Sequence, residues 1–199
     1  MSDKGHPGAP GSPPGPSDGG REAPGPGEKG EAPTRSPWNT IHSSKDMNWR
    51  TPPILFQQLD DEFDFKLDAA ASPENALCPD FLHESDNALE VEWTTKTDGA
   101  VFLNPPYGRD VKRWVEKAYR ESSKGLTVVI LVMACTETQW WRQYVWKADE
   151  VRLVQGRVQF LDCNGKPRAA APKGSAVIVF RPHWEGPPRV TLMEQRRRE

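Results

Sequence analysis

Ala100-Val101-Phe102-Leu103-Asn104-Pro105-Pro106-Tyr107-Gly108 is the stretch on which the fold turns. Its four leading apolar residues read as a short strand. That strand must stop at Asn104, because two consecutive prolines have no N–H to offer a ladder. Beyond the corner, Val111, Trp114, Val115, Ala118 and Tyr119 fall at i, i+3, i+4, i+7 and i+8, which predicts an amphipathic helix over 110–122. Glu116 is spaced to pair with Lys112 and Arg120 on its exposed side, and Gly125 supplies a stop. Residues 126–134 are then almost all apolar, as in a central parallel strand covered on both faces.

Towards the N-terminus, Thr51 is placed to cap a helix over 52–61, with Pro53 in its first turn and Ile54, Leu55 and Leu59 on its apolar face. Residues 63–68 alternate apolar and polar, predicting a short strand that ends at Asp68 and runs into Ala69-Ala70-Ala71. Residues 72–98 are polar and irregular, anchored only by Phe81, Leu82, Leu89, Val91 and Trp93. Towards the C-terminus, Thr136 and Gln139 have capping-box spacing for a helix over 137–147. Glu150–Val154 reads as a strand that 157–161 continues after Gly156, Asn164-Gly165 as a hairpin-type turn, and Ser175–Phe180 as the last strand. The order describes an α/β fold: an open, mostly parallel sheet with a terminal antiparallel hairpin. Such sheets bind ligands beyond the carboxyl ends of their strands. Asp68 and Asn104 both stand there and are the leading polar candidates for a site.

Composition sets the limits. Of 199 residues only 36% are aliphatic or aromatic, and the deficit is local: residues 1–37 hold nine prolines and nine glycines. Such a segment cannot bury enough surface to offset its ordering entropy, so 1–40 is expected to be a disordered tail. One catalytic domain is expected over 47–185, and a basic tail over 186–199 that ends in Arg196-Arg197-Arg198. The net charge of −2 is not that of a generally basic nucleic-acid binder, so a DNA partner would need a local basic face. Three unpaired-looking cysteines and four scattered histidines argue against a disulfide framework and against a metal site. No apolar run suits a signal peptide or a membrane span. A soluble, cytoplasmic protein is expected, a monomer.

The Asn104-Pro105-Pro106-Tyr107 corner suits one chemical problem. The lone pair of an aromatic amine is delocalised into its ring, so the nitrogen is a poor nucleophile towards a methyl donor. Two acceptors aimed at its N–H groups orient it and localise the lone pair; the Asn104 side-chain oxygen and the Pro105 carbonyl are available. Prolines hold such acceptors in place before the substrate arrives. Tyr107 would stack on the base, a contact of roughly 1–3 kcal/mol, against an extrusion cost of a few kcal/mol for a base in a duplex. The plain alternative is a tight turn with no chemistry.

With these residues in view, the chain resembles the phage-type Dam-like DNA N6-adenine methyltransferases. The resemblance rests on Trp49-Arg50-Thr51-Pro52, Leu67-Asp68-Ala69-Ala70-Ala71, Cys78-Pro79, Trp93 and 101–108. Trp114, Ala118, 156–160 and Ser175–Phe180 complete it, over about 47–182. It implies a Rossmann-like sheet, S-adenosylmethionine as cofactor, double-stranded DNA as partner, and a bacterium or a phage-infected host cell as the setting. It also implies cofactor contacts at Thr51, Pro52, Asp68, Ala69 and Asp86. One departure is that Ala69-Ala70-Ala71 stands where such enzymes carry a Gly-rich loop. Asp68 as a cap or turn residue, and Asp86 as a solvated carboxylate, are the competing readings. Arg157 and Lys173 are the candidate phosphate contacts, set against an ordinary charged loop. Cys78-Pro79 has the wrong order for a cytosine-directed nucleophile and reads as a buried thiol. Two rival functions remain: an amino-methyltransferase acting on RNA or protein glutamine, and a methyltransferase-like module that only binds DNA.

Overall fold

A computed structural model describes residues 49–196. The tail expected over 1–40 lies outside the described residues. Helix α1 (Pro53–Phe63) leads into β1 (Phe65–Asp68), followed by β2 (Asp80–Phe81), two single 3₁₀ turns (Glu84–Asp86 and Trp93–Thr95) and β3 (Ala100–Leu103). Then come α2 (Val111–Ser122), β4 (Val128–Met133), the short α3 (Gln139–Gln143), a 3₁₀ turn (Val145–Lys147), β5 (Glu150–Val154), β6 (Ser175–Phe180) and β7 (Arg189–Met193). The seven strands form one sheet in the order β2-β1-β3-β4-β6-β5-β7. Only β6 runs against its neighbours, pairing antiparallel with β4 and with β5. This is the mixed α/β, Rossmann-like sheet expected from the sequence.

The centre of the sheet is β4, flanked by β3 and β6, and its apolar run is explained by burial on both faces. Val128, Ile130 and Val132 face a core shared with Val115 and Ala118 of α2, while Val129 and Leu131 face one shared with Leu55, Phe56 and Leu59 of α1. The two helices therefore cover opposite faces. Glu121 of α2 is fully buried; it accepts from the Trp93 N–H at 3.0 Å and pairs with Lys117 at 2.8 Å and Lys124 at 3.1 Å. Burial alone would raise its pKa, but these donors hold it below the usual carboxylate range. That knot fixes the irregular 72–98 segment to α2.

The structure corrects four expectations. Residues 186–199 do not form a tail throughout: 189–193 extend the sheet as β7, parallel to β5 from Glu150↔Arg189 to Val154↔Met193. Pairing satisfies the edge of β5 and buries Met193. Residues 157–161 do not continue β5, because Gly156 turns the chain at φ +76° and the segment crosses to meet Arg50, which bridges Leu161. The helix over 137–147 is only α3 plus a 3₁₀ turn, and its N-cap is Thr138, whose hydroxyl accepts from the Trp141 N–H, not Thr136. Thr51 likewise caps nothing; Pro52 occupies the N-cap of α1 without a side-chain bond.

Candidate active site

Two adjacent parallel strands deliver the two polar candidates. Asp68 ends β1 opposite Phe102 of β3, and Asn104 follows one residue after β3 ends, so both emerge at the same edge of the sheet. Asp68 is 4% exposed. Its carboxylate accepts the Leu77 N–H at 3.2 Å and the Ala70 N–H at 3.4 Å. Burial pushes its pKa up to about 6, and the two amide donors only partly oppose that.

Asn104 is oriented by the strand-like strap at 49–50. Its Nδ2 donates to the Trp49 carbonyl at 2.6 Å. The strap is itself clipped to the 157–171 segment: Arg50 N–H donates to the Leu161 carbonyl at 3.0 Å, and Leu161 N–H returns to Arg50 at 2.9 Å. The Trp49 ring packs against Tyr107 at 5.7 Å and Phe160 at 5.5 Å, with the Arg168 guanidinium 5.3 Å from its centre. Asn104 Oδ1 is left buried and without a partner.

A cleft of about 450 Å³ opens between these groups, lined among others by Arg50, Thr51, Asp68, Asn104, Pro105 and Pro106. That volume lies in the range of small-molecule sites, roughly 300–1,000 Å³. Buried polar atoms in folded proteins nearly always find partners. Among the described residues four buried side-chain polar atoms lack one: Arg50 Nε, Thr51 Oγ1, Asn104 Oδ1 and Ser175 Oγ. Three of the four belong to residues that line this cleft. Unsatisfied groups gathered in one concavity mark a place where a polar ligand completes the hydrogen bonding.

The structure brings Thr51, Asp68, Asn104, Pro105 and Pro106 together and separates the other candidates. Pro52 lines a second groove beside Arg157. Ala69 is fully buried behind the cleft, whereas Ala70 and Ala71 line it. Asp86 is exposed and does not line the cleft, because its Oδ2 accepts the His83 N–H at 2.8 Å to close a 3₁₀ turn. The same turn sets Glu84 and Asn87 on the cleft wall instead. Tyr107 does not line the cleft either: it sits against Trp49 and Phe160 with its hydroxyl donating to the Leu131 carbonyl at 3.4 Å. Trp93 does not line the cleft; it is fully buried and donates its indole N–H to the Ala88 carbonyl at 2.8 Å. Arg157 is exposed and donates to the Ala171 carbonyl at 2.7 Å, while Lys173 pairs with Glu137 at 2.9 Å. Cys78 is buried, with its thiol pKa pushed up to about 12 by desolvation, the state of an unreactive core cysteine. Among the described residues no cluster of three or more His, Cys, Asp or Glu is arranged to hold a metal ion, and no helix is long and apolar enough to cross a membrane.

Sequence reasoning did not single out Glu84, Asn87 or Asn75 and did not assign Trp114 to the site, yet all four line the cleft. Trp114 was read as core, and the 3₁₀ turn that carries Glu84 and Asn87 has no periodicity to reveal it.

Comparison with known proteins agrees with the geometry. The chain is 29% identical over 166 residues to a DNA N-6-adenine-methyltransferase of Escherichia phage T1, an alignment covering 74% of this chain and 68% of that protein. It is 38% identical over 63 residues to the putative methyltransferase YfdM of Escherichia coli K12, covering 30% of this chain and 69% of that protein. The model of the family described as DNA N-6-adenine-methyltransferase (Dam) matches residues 38–199. The sheet, the corner at its open edge and this match place the chain in the Dam family of DNA N6-adenine methyltransferases.

Proposed function

We propose that this protein transfers the methyl group of S-adenosylmethionine to the exocyclic N6 of an adenine extruded from double-stranded DNA, within the cleft between Asp68 and Asn104. The observation that carries the reading is the buried, unpartnered Oδ1 of Asn104. Because Nδ2 is committed to the Trp49 carbonyl, the amide cannot flip, and its oxygen is held ready to accept an amine N–H. The Pro105 carbonyl is the second acceptor. Together they orient the amine and keep its lone pair on nitrogen. Asn104 is neutral and takes no proton; the proton leaves after methyl transfer.

The residues on the opposite wall fit the cofactor. S-adenosylmethionine supplies an electrophilic methyl group when bound. Asp68 and Thr51 offer an acceptor and a hydroxyl to its polar groups, and the small Ala70 and Ala71 permit close approach. Base stacking falls to rings on the cleft wall, of which Trp49 and Trp114 are the largest, with Tyr107 holding the Trp49 ring from behind. Arg157 is the leading phosphate contact, because Lys173 is already engaged with Glu137.

The test is product identity. DNA incubated with the protein and methyl-labelled S-adenosylmethionine is digested to nucleosides; label in N6-methyldeoxyadenosine is expected. Label in RNA or in protein glutamine, or DNA binding with no cofactor binding, would favour the rival readings.

A further inference from the structure

The cleft holds one Arg and no Lys. Arg50 lines it between Trp49, whose carbonyl orients Asn104, and the buried Thr51. Its Nη1 donates to the Glu74 carbonyl at 3.1 Å, which holds the guanidinium across the 72–75 turn. Its Nε is buried and has no partner among the described residues. A guanidinium N–H removed from water and left unpaired is costly, since hydrogen bonds to charged groups contribute about 1.5–3 kcal/mol when made. The other charged side chains on the cleft wall, Asp68, Glu84 and Asp110, are acidic. Glu74, the nearest carboxylate on the turn, is turned towards Ser72, whose hydroxyl donates to it at 2.6 Å.

The planar fork of an arginine pairs bidentately with a carboxylate or a phosphate. S-adenosylmethionine carries one carboxylate, on its amino-acid end, together with an ammonium and a sulfonium. A cleft with three carboxylates and one guanidinium sorts these charges: the cations and hydroxyls go to the acidic wall, and the carboxylate goes to the arginine. We propose that Arg50 binds the carboxylate of the cofactor's amino-acid end through its Nε side. The cofactor then lies with that end at the Arg50–Ser72 corner and its adenosine towards Glu84 and Asn87. This inference rests on the cofactor reading above and adds the residue that holds the cofactor's amino-acid end.

The experiment is calorimetric titration of the full chain with two ligands: S-adenosylmethionine and its decarboxylated analogue, which lacks only the carboxylate. The wild-type protein is expected to bind S-adenosylmethionine about 10- to 100-fold more tightly than the analogue. Arg50→Met is expected to lose that preference, weakening S-adenosylmethionine while leaving the analogue's affinity within about threefold. Arg50→Lys, which keeps a point charge but not the fork, should retain part of the preference and reports on a site that has kept its shape. Equal weakening of both ligands in Arg50→Met, or an unchanged preference, would overturn the assignment of Arg50 and leave the cofactor reading standing. A wild-type protein that binds neither ligand would overturn both.

Discussion

The side-chain Nδ2 of Asn104 donates to the main-chain carbonyl of Trp49 at 2.6 Å across 55 residues of sequence. The bond fixes which end of the amide faces the cleft. It also makes the Asn104-Pro105-Pro106 corner depend on a strap that Tyr107, Phe160 and Leu161 hold in place. Trp49→Ala is therefore expected to lower the rate of methyl transfer about 10- to 100-fold, and Trp49→Phe to restore most of it. In an Asn104→Ala background Trp49→Ala should add little, because the two act as one unit. Single-turnover rates for the four proteins of that cycle check this; additive losses would mean that Trp49 acts elsewhere.

If Asp68 holds the cofactor as proposed, its burial makes the affinity for S-adenosylmethionine depend on pH. Its pKa rises from 3.8 to about 6 on burial, so the folded protein holds the proton more tightly than the unfolded chain. Stability from this group accordingly falls as pH climbs from 3.8 to about 6, the reverse of an ion-paired carboxylate. A ligand that donates to the carboxylate needs its ionised form. Affinity for S-adenosylmethionine should thus be flat above about pH 6 and fall towards about tenfold per unit below it. Asp68→Asn should bind more weakly and lose that slope between pH 5 and 7, as titration at stepped pH would show.

Arg157 is exposed at the edge of a groove beside the N-terminus of α1. If it meets a phosphate, Arg157→Ala will weaken DNA binding to a similar extent for all sequences. It will also reduce the slope of log affinity against log salt by about 1. Fluorescence anisotropy over a salt series measures both. An unchanged slope would assign Arg157 only to its bond with the Ala171 carbonyl.

Glu121 makes a prediction about stability. Removing its carboxylate leaves the Lys117 ammonium and the Trp93 N–H without their buried partner. Glu121→Ala should destabilise the protein by about 3–5 kcal/mol, as for other broken buried pairs, whereas removing the exposed Glu116–Arg120 pair should cost under about 1 kcal/mol. Urea denaturation followed by tryptophan fluorescence separates the two cases.

The parts of this protein that were legible in its sequence are those written in periodicity. The apolar run of β4, the amphipathic α2 and the strand ends at Asp68 and Asn104 follow from burial on one or two faces, and each stands where its pattern placed it. β7 was hidden because only Met193 of its five residues is buried, and because a run of arginines follows it. The site was half legible. Asp86 has the right residue type and lies one turn-position away from the groups that line the cleft, but a 3₁₀ turn decides by local capping which side chain faces in. Tyr107 was placed by its motif alone; its ring is drawn out of the cleft by contacts to Trp49 and Phe160, which lie 58 and 53 residues away along the chain. Arg50 was visible only as part of a motif, since an unpartnered Nε exists only once the 72–75 turn has folded over it.

The central claim is that Asn104 holds the target amine, and the most direct measurement pairs catalysis with binding in one variant. Asn104→Ala should lower the single-turnover rate of N6-adenine methylation by about 100-fold or more, while its affinity for S-adenosylmethionine stays within about threefold of wild type. Methylation at the wild-type rate by Asn104→Ala would contradict the account.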